Sequence, residues 1–385
     1  MSNKKEYNRI NWTEGMAVHF DMFEQTEDYF INTICSSAAI QLNRNNFGLL
    51  PSPDRKTTSS EFDISEMVTA DTIEIRLRKC NAVTIGGYRI CYNPPPGQAI
   101  TYVHTFDSGK QSGSSPEKSW DVIITADPYR RVPSGIPDAQ ETPPRHPNAE
   151  AFYGLSVMPE GTIDTGQLGV HHLVIGRIRR NGERYIVDTD FIPPSAAMSS
   201  YPALIRYYDS FGTMINDVEN ASKAIITKIR NRAQNSPIAL HIGNICEDMM
   251  RYIASIYFSY RNTGIDLAPV NIVNYFSSLA HICYINMDFI NKTDREELLR
   301  YFYEWSDVKP GLYEELLSNM LNTRYNHNNI GEVMVKIESF LRIISELWLK
   351  LSALEYIGQH KENVVIGERT NASEPVKKTN WTILD

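Results

Sequence analysis

Apolar residues recur with two different periods along the chain, and the period changes close to residue 195. Before it, short runs alternate, as in Ile73, Ile75 and Leu77 between polar neighbours, which is typical of half-buried strands. After it, apolar residues recur every three or four positions, which predicts helices. The pattern therefore predicts an α+β fold, in which an N-terminal antiparallel β-sandwich is followed by a helical bundle.

The clearest hairpin lies at residues 82–92, where two β-like runs flank Gly86-Gly87. Two glycines tolerate the positive φ of a tight turn, so a two-residue turn is expected here. Two irregular stretches interrupt the β half: a Gly/Ser-rich one at 108–119, and one at 133–147 that holds five prolines. Both are expected to be exposed loops, and the second is either a partner surface or simply mobile.

Helical seams with 3-4 spacing stand out in the second half. Further helices are predicted from Pro237, from about Ala268, from a capping box at Thr293 to Glu296, and after Pro310. Such regular spacing is typical of coiled coils, and the β-branched seam positions favour three chains. The sequence thus predicts a bundle that trimerises through these positions: Leu204, Tyr208, Phe211, Ile215, Val218, Ile225 and Ile229 in the first long helix, and Ile330, Val333, Ile337, Phe340 and Ile344 in the last.

These patterns divide the chain into four predicted parts. Residues 1–30 form an N-terminal strand or helix, 31–194 the β-sandwich and 195–358 the helical bundle, with a Pro193-Pro194 pair at the boundary. Residues 359–385 form a polar tail whose apolar anchors, Trp381, Ile383 and Leu384, are expected to dock on another protein.

Composition excludes several classes of function. A net charge of -8 argues against non-specific nucleic-acid binding, and no apolar run is long enough for a membrane span or a signal peptide. The chain is therefore expected to stay in the compartment where it is made. Five dispersed cysteines form no CxxC pair, and His171-His172 lacks a third ligand at metal spacing. With no nucleophile elbow, phosphate loop or HExxH, the sequence predicts no cofactor, no metal and no enzyme.

Three segments carry a family resemblance. The first is Trp12-x-Glu14-Gly15-Met16, followed by Phe23-x-Gln25 and Tyr29; the second is 190–194, Asp-Phe-Ile-Pro-Pro, leading into 201–204; the third is 325–331, Tyr-Asn-His-Asn-Asn-Ile-Gly. Together they resemble the TssK family of type VI secretion baseplate subunits. Trp12 is accordingly expected to be buried against one of the two domains.

The resemblance implies a homotrimeric, non-enzymatic, cytoplasmic protein at the inner face of the inner membrane. In that family the β "shoulder" and helical "neck" assemble with the wedge subunits TssF and TssG, and a C-terminal "head" docks on a membrane complex. The sequence departs from this pattern at Phe20-Asp21-Met22-Phe23, where the family has Pro-Gln-His-Phe, and in having only the tail beyond the neck.

Several interpretations remain open. The chain fits a divergent type VI system, such as the Bacteroidetes kind, or a headless adaptor of a related contractile machine, with the tail replacing the head as the anchor. A receptor- or carbohydrate-binding module of a phage-like contractile particle is the main alternative, because the β half is rich in aromatics. A hydrolase assembled from scattered residues is the third.

Overall fold

A computed structural model describes residues 7–52, 58–66, 71–106, 119–163, 168–182, 184–306 and 308–361. Within them an N-terminal helix and two antiparallel sheets are followed by a helical region, so the predicted α+β fold is confirmed. The first helix, α1, spans Phe20–Ala39. It therefore continues past residue 30, where a β-like pattern is expected to begin. The four-part division itself stays a prediction.

Two sheets make up the β half. In the first, strand β3 (Thr72–Val83) is central and pairs with β1 (Gly48–Leu49), β2 (Ser60–Glu66), β4 (Arg89–Tyr92) and β5 (Ile100–Thr105). The second has the order β7-β6-β8-β9, made of β6 (Ser119–Ser134), β7 (Asn148–Pro159), β8 (His172–Asn181) and β9 (Arg184–Val187). All of these pairings are antiparallel.

The core between the sheets follows the predicted alternation. Ile73, Ile75 and Leu77 of β3 have no exposed area and share one cluster with Val122 and Ile124 of β6. Because successive strand residues point to opposite faces, the polar residues between them lie outside the core. The main core of the β half is thus the apolar layer between the two sheets, and a smaller cluster of Ile123, Val174 and Phe191 lies apart from it.

The hairpin turn differs from the prediction. The last paired residues of β3 and β4 are Val83 and Arg89, and the Thr84 amide donates to the Tyr88 carbonyl at 2.9 Å, which leaves three residues at the tip. Only Gly87 has a positive φ, of 80°. A Cβ at Gly87 would lie 2.1 Å from the carbonyl oxygen of Cys35. The glycine is therefore required mainly because α1 crosses the turn.

The proline-rich stretch is an extension of a hairpin. Pro133 itself lies in β6 and pairs with Ala149 of β7, so only the residues between these strands form the loop. Within it the Asp138 amide donates to the Arg145 carbonyl at 3.0 Å, and Ile136 is 88% exposed. The Gly/Ser-rich stretch lies outside the described residues, except for Ser119 at the start of β6.

Six α-helices of the described chain form most of the second half. Prolines open four of them, where the missing amide hydrogen costs nothing. The helix predicted to begin at Thr293 begins one residue earlier, and Asn291 caps it by accepting from the Asp294 amide at 3.0 Å. The six are α2 (Pro202–Asn231), α3 (Pro237–Asn262), α4 (Pro269–Asp288), α5 (Lys292–Ser306), α6 (Pro310–Asn322) and α7 (Ile330–Ala353).

Candidate functional site

The backbone of the β half is hydrogen-bonded to the start of the helical half through the Pro-Pro segment. The Leu49 amide donates to the Pro194 carbonyl at 2.8 Å, and the Ala196 amide donates to the Leu49 carbonyl at 2.9 Å. Gly48, at φ 114°, approaches so closely that a Cβ would lie 2.1 Å from the Pro194 oxygen. The prolines therefore fix a junction between the two halves, which we define as residues 47–49, 190–196 and 325–331.

His327 ties the third resemblance segment to this junction. Its side chain is 4% exposed, its Nε2 lies 2.7 Å from the carbonyl oxygen of Phe47, and its Nδ1 lies 2.7 Å from the hydroxyl of Tyr325. A carbonyl can only accept, so Nε2 carries the proton and Nδ1 accepts from Tyr325. Both ring nitrogens of His327 therefore have a hydrogen-bond partner. One of these partners, Phe47, lies 280 positions away in the sequence.

The protonation state of this pair is fixed by burial. Burial lowers the pKa of His327, and the hydrogen bond to the Phe47 carbonyl opposes that shift only in part. Burial also raises the pKa of Tyr325. Both groups are therefore neutral at neutral pH, which suits a structural clasp better than acid-base chemistry.

A cleft of about 800 Å³ opens beside the junction, between β8, α2 and the start of α7. Two of its cations are in ion pairs: Lys336 with Glu332 of the same cleft at 2.7 Å, and Arg177 with Asp121 at 2.9 Å. The Arg177 guanidinium also lies 4.4 Å over the Phe191 ring. The cleft thus offers mixed charge and apolar area, which suits a protein segment better than a small reactive ligand.

Arg131 attaches α1 to the β half. Its guanidinium lies 2.9 Å from Glu27 and from Asp28 and 3.6 Å from Glu24, all on one side of the helix. Burial of the Arg131 side chain opposes its charge, but the hydrogen bonds to Glu27 and Asp28 raise its pKa. The helix is therefore fastened to the sheets by its acidic side.

Trp12 is not buried, so that prediction is wrong. It is 49% exposed, and its ring centroid lies 6.4 Å from that of Phe23, which is itself 60% exposed. The physical reason is the orientation of α1: since its acidic side faces the sheets, its aromatic side and the tryptophan beside it face solvent. The rest of this surface is described with the further inference.

The residues of the predicted trimer seam lie inside the helical bundle of one chain. Of these twelve residues, eight have no exposed area, three are 3–9% exposed, and Tyr208 is partly buried. They fill the space between α2, α7 and the other helices of one chain. A side chain without exposed area adds nothing to a contact between chains, so these positions hold the bundle together from within.

The remaining predicted groups are not brought together into a site. His171 is partly buried and contacts the Thr84 hydroxyl at 3.2 Å, while His172 contacts the Gly169 carbonyl at 2.7 Å. Within the described ranges, no three His, Cys, Asp or Glu side chains are grouped to hold a metal ion. Nor does any described helix combine the length and apolarity of a membrane span. The tail anchors Trp381, Ile383 and Leu384 lie outside the described residues.

Sequence reasoning missed Arg131 and the outward face of α1. Nothing local marks Arg131, because its partners lie more than 100 positions away. The helix face did carry a signal, since Phe20, Phe23, Phe30 and Ile34 share the 3-4 spacing that identifies the later seams.

No protein-family model matches this chain, and no curated protein does. Several solved structures are similar to it. A TssK crystal structure has 14% identity and a TM-score of 0.46, and the match covers 88% of this chain and 69% of TssK. A chain of the type VI secretion baseplate complex has 13% identity and a TM-score of 0.49, with 88% of this chain and all of the other covered. A chain of the TssK-TssF-TssG subcomplex has 12% identity and a TM-score of 0.42, with coverages of 89% and 100%. The proteins to which the chain is similar are thus those its three sequence segments resemble, TssK and type VI secretion baseplate structures.

Proposed function

We propose that the chain is a structural adaptor of a type VI secretion baseplate, a homotrimer that joins wedge subunits resembling TssF and TssG to a membrane-side assembly. It acts through protein-protein contacts at the cytoplasmic face of the inner membrane, without catalysis. The observation that carries the proposal is the junction. Two segments that resemble TssK, 190–194 and 325–331, lie far apart in sequence and meet at one connection between the two halves.

The details of that connection support an architectural role. Gly331 allows α7 to start against the chain at Asp190, since a Cβ there would lie 3.1 Å from the Asp190 carbonyl oxygen. His327 and the Pro193-Pro194 pair fix the angle between sheets and helices by hydrogen bonds and restricted backbone. An adaptor that transmits geometry between partners needs such a rigid connection. A hydrolase would instead need groups free to react.

The proposal is tested by capture from the native organism. A tagged chain is expected to retain two proteins resembling TssF and TssG in fixed proportion, and its deletion is expected to abolish baseplate assembly. Binding to glycans without those subunits would instead favour the receptor-binding module. Loss of the tail residues 359–385, with capture of the wedge subunits kept and the membrane-side partner lost, would support the tail as the anchor.

A further inference from the structure

Helix α1 exposes a stripe of large apolar residues, which an ordinary surface helix would bury. Its acidic residues Glu24, Glu27 and Asp28 face the β half and pair with Arg131. Its large apolar residues adjoin this acidic side and are exposed. The exposed fractions are 75% for Phe20, 60% for Phe23, 57% for Phe30 and 67% for Ile34. Surface helices bury their apolar stripe, so this stripe requires a cover from outside the described chain.

The spacing of the stripe indicates what kind of cover it fits. Phe20, Phe23, Glu27, Phe30 and Ile34 follow one another at intervals of three, four, three and four. A strict 3-4 repeat makes a narrow seam, and a seam of this width matches another helix rather than a sheet or a broad core.

The exposed area is also that of an interface. Trp12, Phe20, Phe23 and Phe30 together expose roughly 500 Å², taking about 200 Å² for each aromatic side chain. Val18 and Ile34 are 54% and 67% exposed. With them the surface approaches the roughly 800 Å² that each partner contributes to a stable complex.

Charge favours a second copy of the same helix. Glu27, the one ionisable residue within the repeat, is already paired with Arg131 of its own chain. On one flank, Glu24 lies 3.6 Å from Arg131 of its own chain. On the other flank, Thr26 and Thr33 are neutral, and their hydroxyls donate to the carbonyls of Met22 and Tyr29 at 2.7 and 2.8 Å. Two copies of the stripe therefore meet apolar against apolar, with no unpaired like charges at the centre.

We propose that this stripe of α1, with Trp12 beside it, is the contact through which copies of this chain associate, helix against helix. The inference deepens the proposed function, because it rests on the homotrimer and names the surface that builds it. The seam residues of the helical bundle cannot form this contact, because their side chains are buried within one chain.

The test is the mass of the intact chain in solution by light scattering at micromolar concentration. The wild type is expected at three times 43.9 kDa. The double variant F30E/I34E places charge on the stripe without touching the core, and should raise the dissociation constant about a hundredfold or more, leaving single chains. The milder F30S should give an intermediate mass. The matched control is F289E, because Phe289 is 85% exposed on the bundle; its mass should equal that of the wild type.

The circular dichroism spectrum of F30E/I34E should match that of the wild type. This control shows that a lower measured mass does not result from unfolding. If F30E/I34E and F30S both remain trimeric, the α1 contact is overturned while the trimeric adaptor stands. If F289E dissociates instead, the contact belongs to the bundle surface and the proposal is overturned. A monomeric wild type overturns the trimer and this contact together.

Discussion

Helices α1 and α7 carry the same 3-4 spacing of apolar residues and bury them differently. In α7, Ile330, Ile337 and Ile344 have no exposed area. In α1, Phe30 and Ile34 are more than half exposed. The spacing alone therefore indicates that a seam exists, and it does not say whether the partner is the same chain or another.

The width of the apolar face separates the two cases. In α7 the seam is widened by Met334, Leu341 and Trp348, all fully buried, so the face is broad enough for a globular core. In α1 the stripe is bordered by Glu24 and Thr26, which keep it narrow. The width of the apolar face and the residues that border it would together have assigned α7 to the interior and α1 to a contact between chains.

The largest expected effect comes from truncating one phenylalanine in each helix. F340A should lower the free energy of unfolding by about 3–5 kcal/mol, because Phe340 has no exposed area and its loss leaves a cavity. F30A should change the stability of the single chain by less than about 0.5 kcal/mol. Urea titrations at nanomolar protein concentration measure both; equal losses would mean that α1 is buried in the single chain.

The junction is tested by adding a single methyl group. G48A should destabilise the chain by about 3 kcal/mol or more, because it combines backbone strain at φ 114° with a clash against Pro194. G97A is the matched control: Gly97 has φ 90° with open space around it, so only strain of about 1 kcal/mol is expected. A G48A cost no larger than that of G97A would show that the junction can shift.

The attachment of α1 gives a smaller effect. R131A should cost about 1–2 kcal/mol, since it leaves the 9%-exposed Asp28 without its cation while Glu24 and Glu27 remain solvated. Hydrogen exchange should quicken in α1 and stay unchanged in α7. R145A, which breaks the Arg145–Glu141 pair in the proline-rich loop, should change neither. Unchanged exchange of α1 in R131A would contradict the anchoring role.

The smallest effect concerns pH. The pKa of His327 is lowered in the fold, so between its folded and unfolded values the unfolded chain binds more protons. Its contribution to stability is therefore present above about pH 6.5, the ordinary histidine value, and is lost as the pH falls below it. H327Q, whose amide can donate to Phe47 and accept from Tyr325, should weaken this dependence in unfolding titrations at pH 5.5 and 7.5. An unchanged slope would remove His327 as its source.

The features that were predicted correctly from the sequence depend on residues that are neighbours in the chain. Pro237 and Pro310 mark helix starts, and the alternation around Ile75 marks a strand, because each depends on neighbouring residues alone. Asn291 was missed as a cap because Thr293 offered an equally good local pattern.

The features that were not predicted from the sequence depend on contacts between residues far apart in the chain. The salt bridges between Arg131 and Asp28 and Glu27, and the hydrogen bond between His327 and Phe47, join residues that only the folded chain brings together. The prediction that Trp12 is buried was wrong for the same reason. The ion pairs of Arg131 set the orientation of α1, and that orientation leaves Trp12, which lies beside the helix, exposed to solvent.

The most direct test asks which face of the molecule lies between copies. In a background where the exposed Cys91 is replaced by serine, the variants F30C and F289C each add one accessible thiol, since the other four cysteines are buried. A short thiol-specific cross-linker should join two chains, at twice 43.9 kDa, through F30C and not through F289C. Cross-linking through F289C alone, or through neither, would contradict the account.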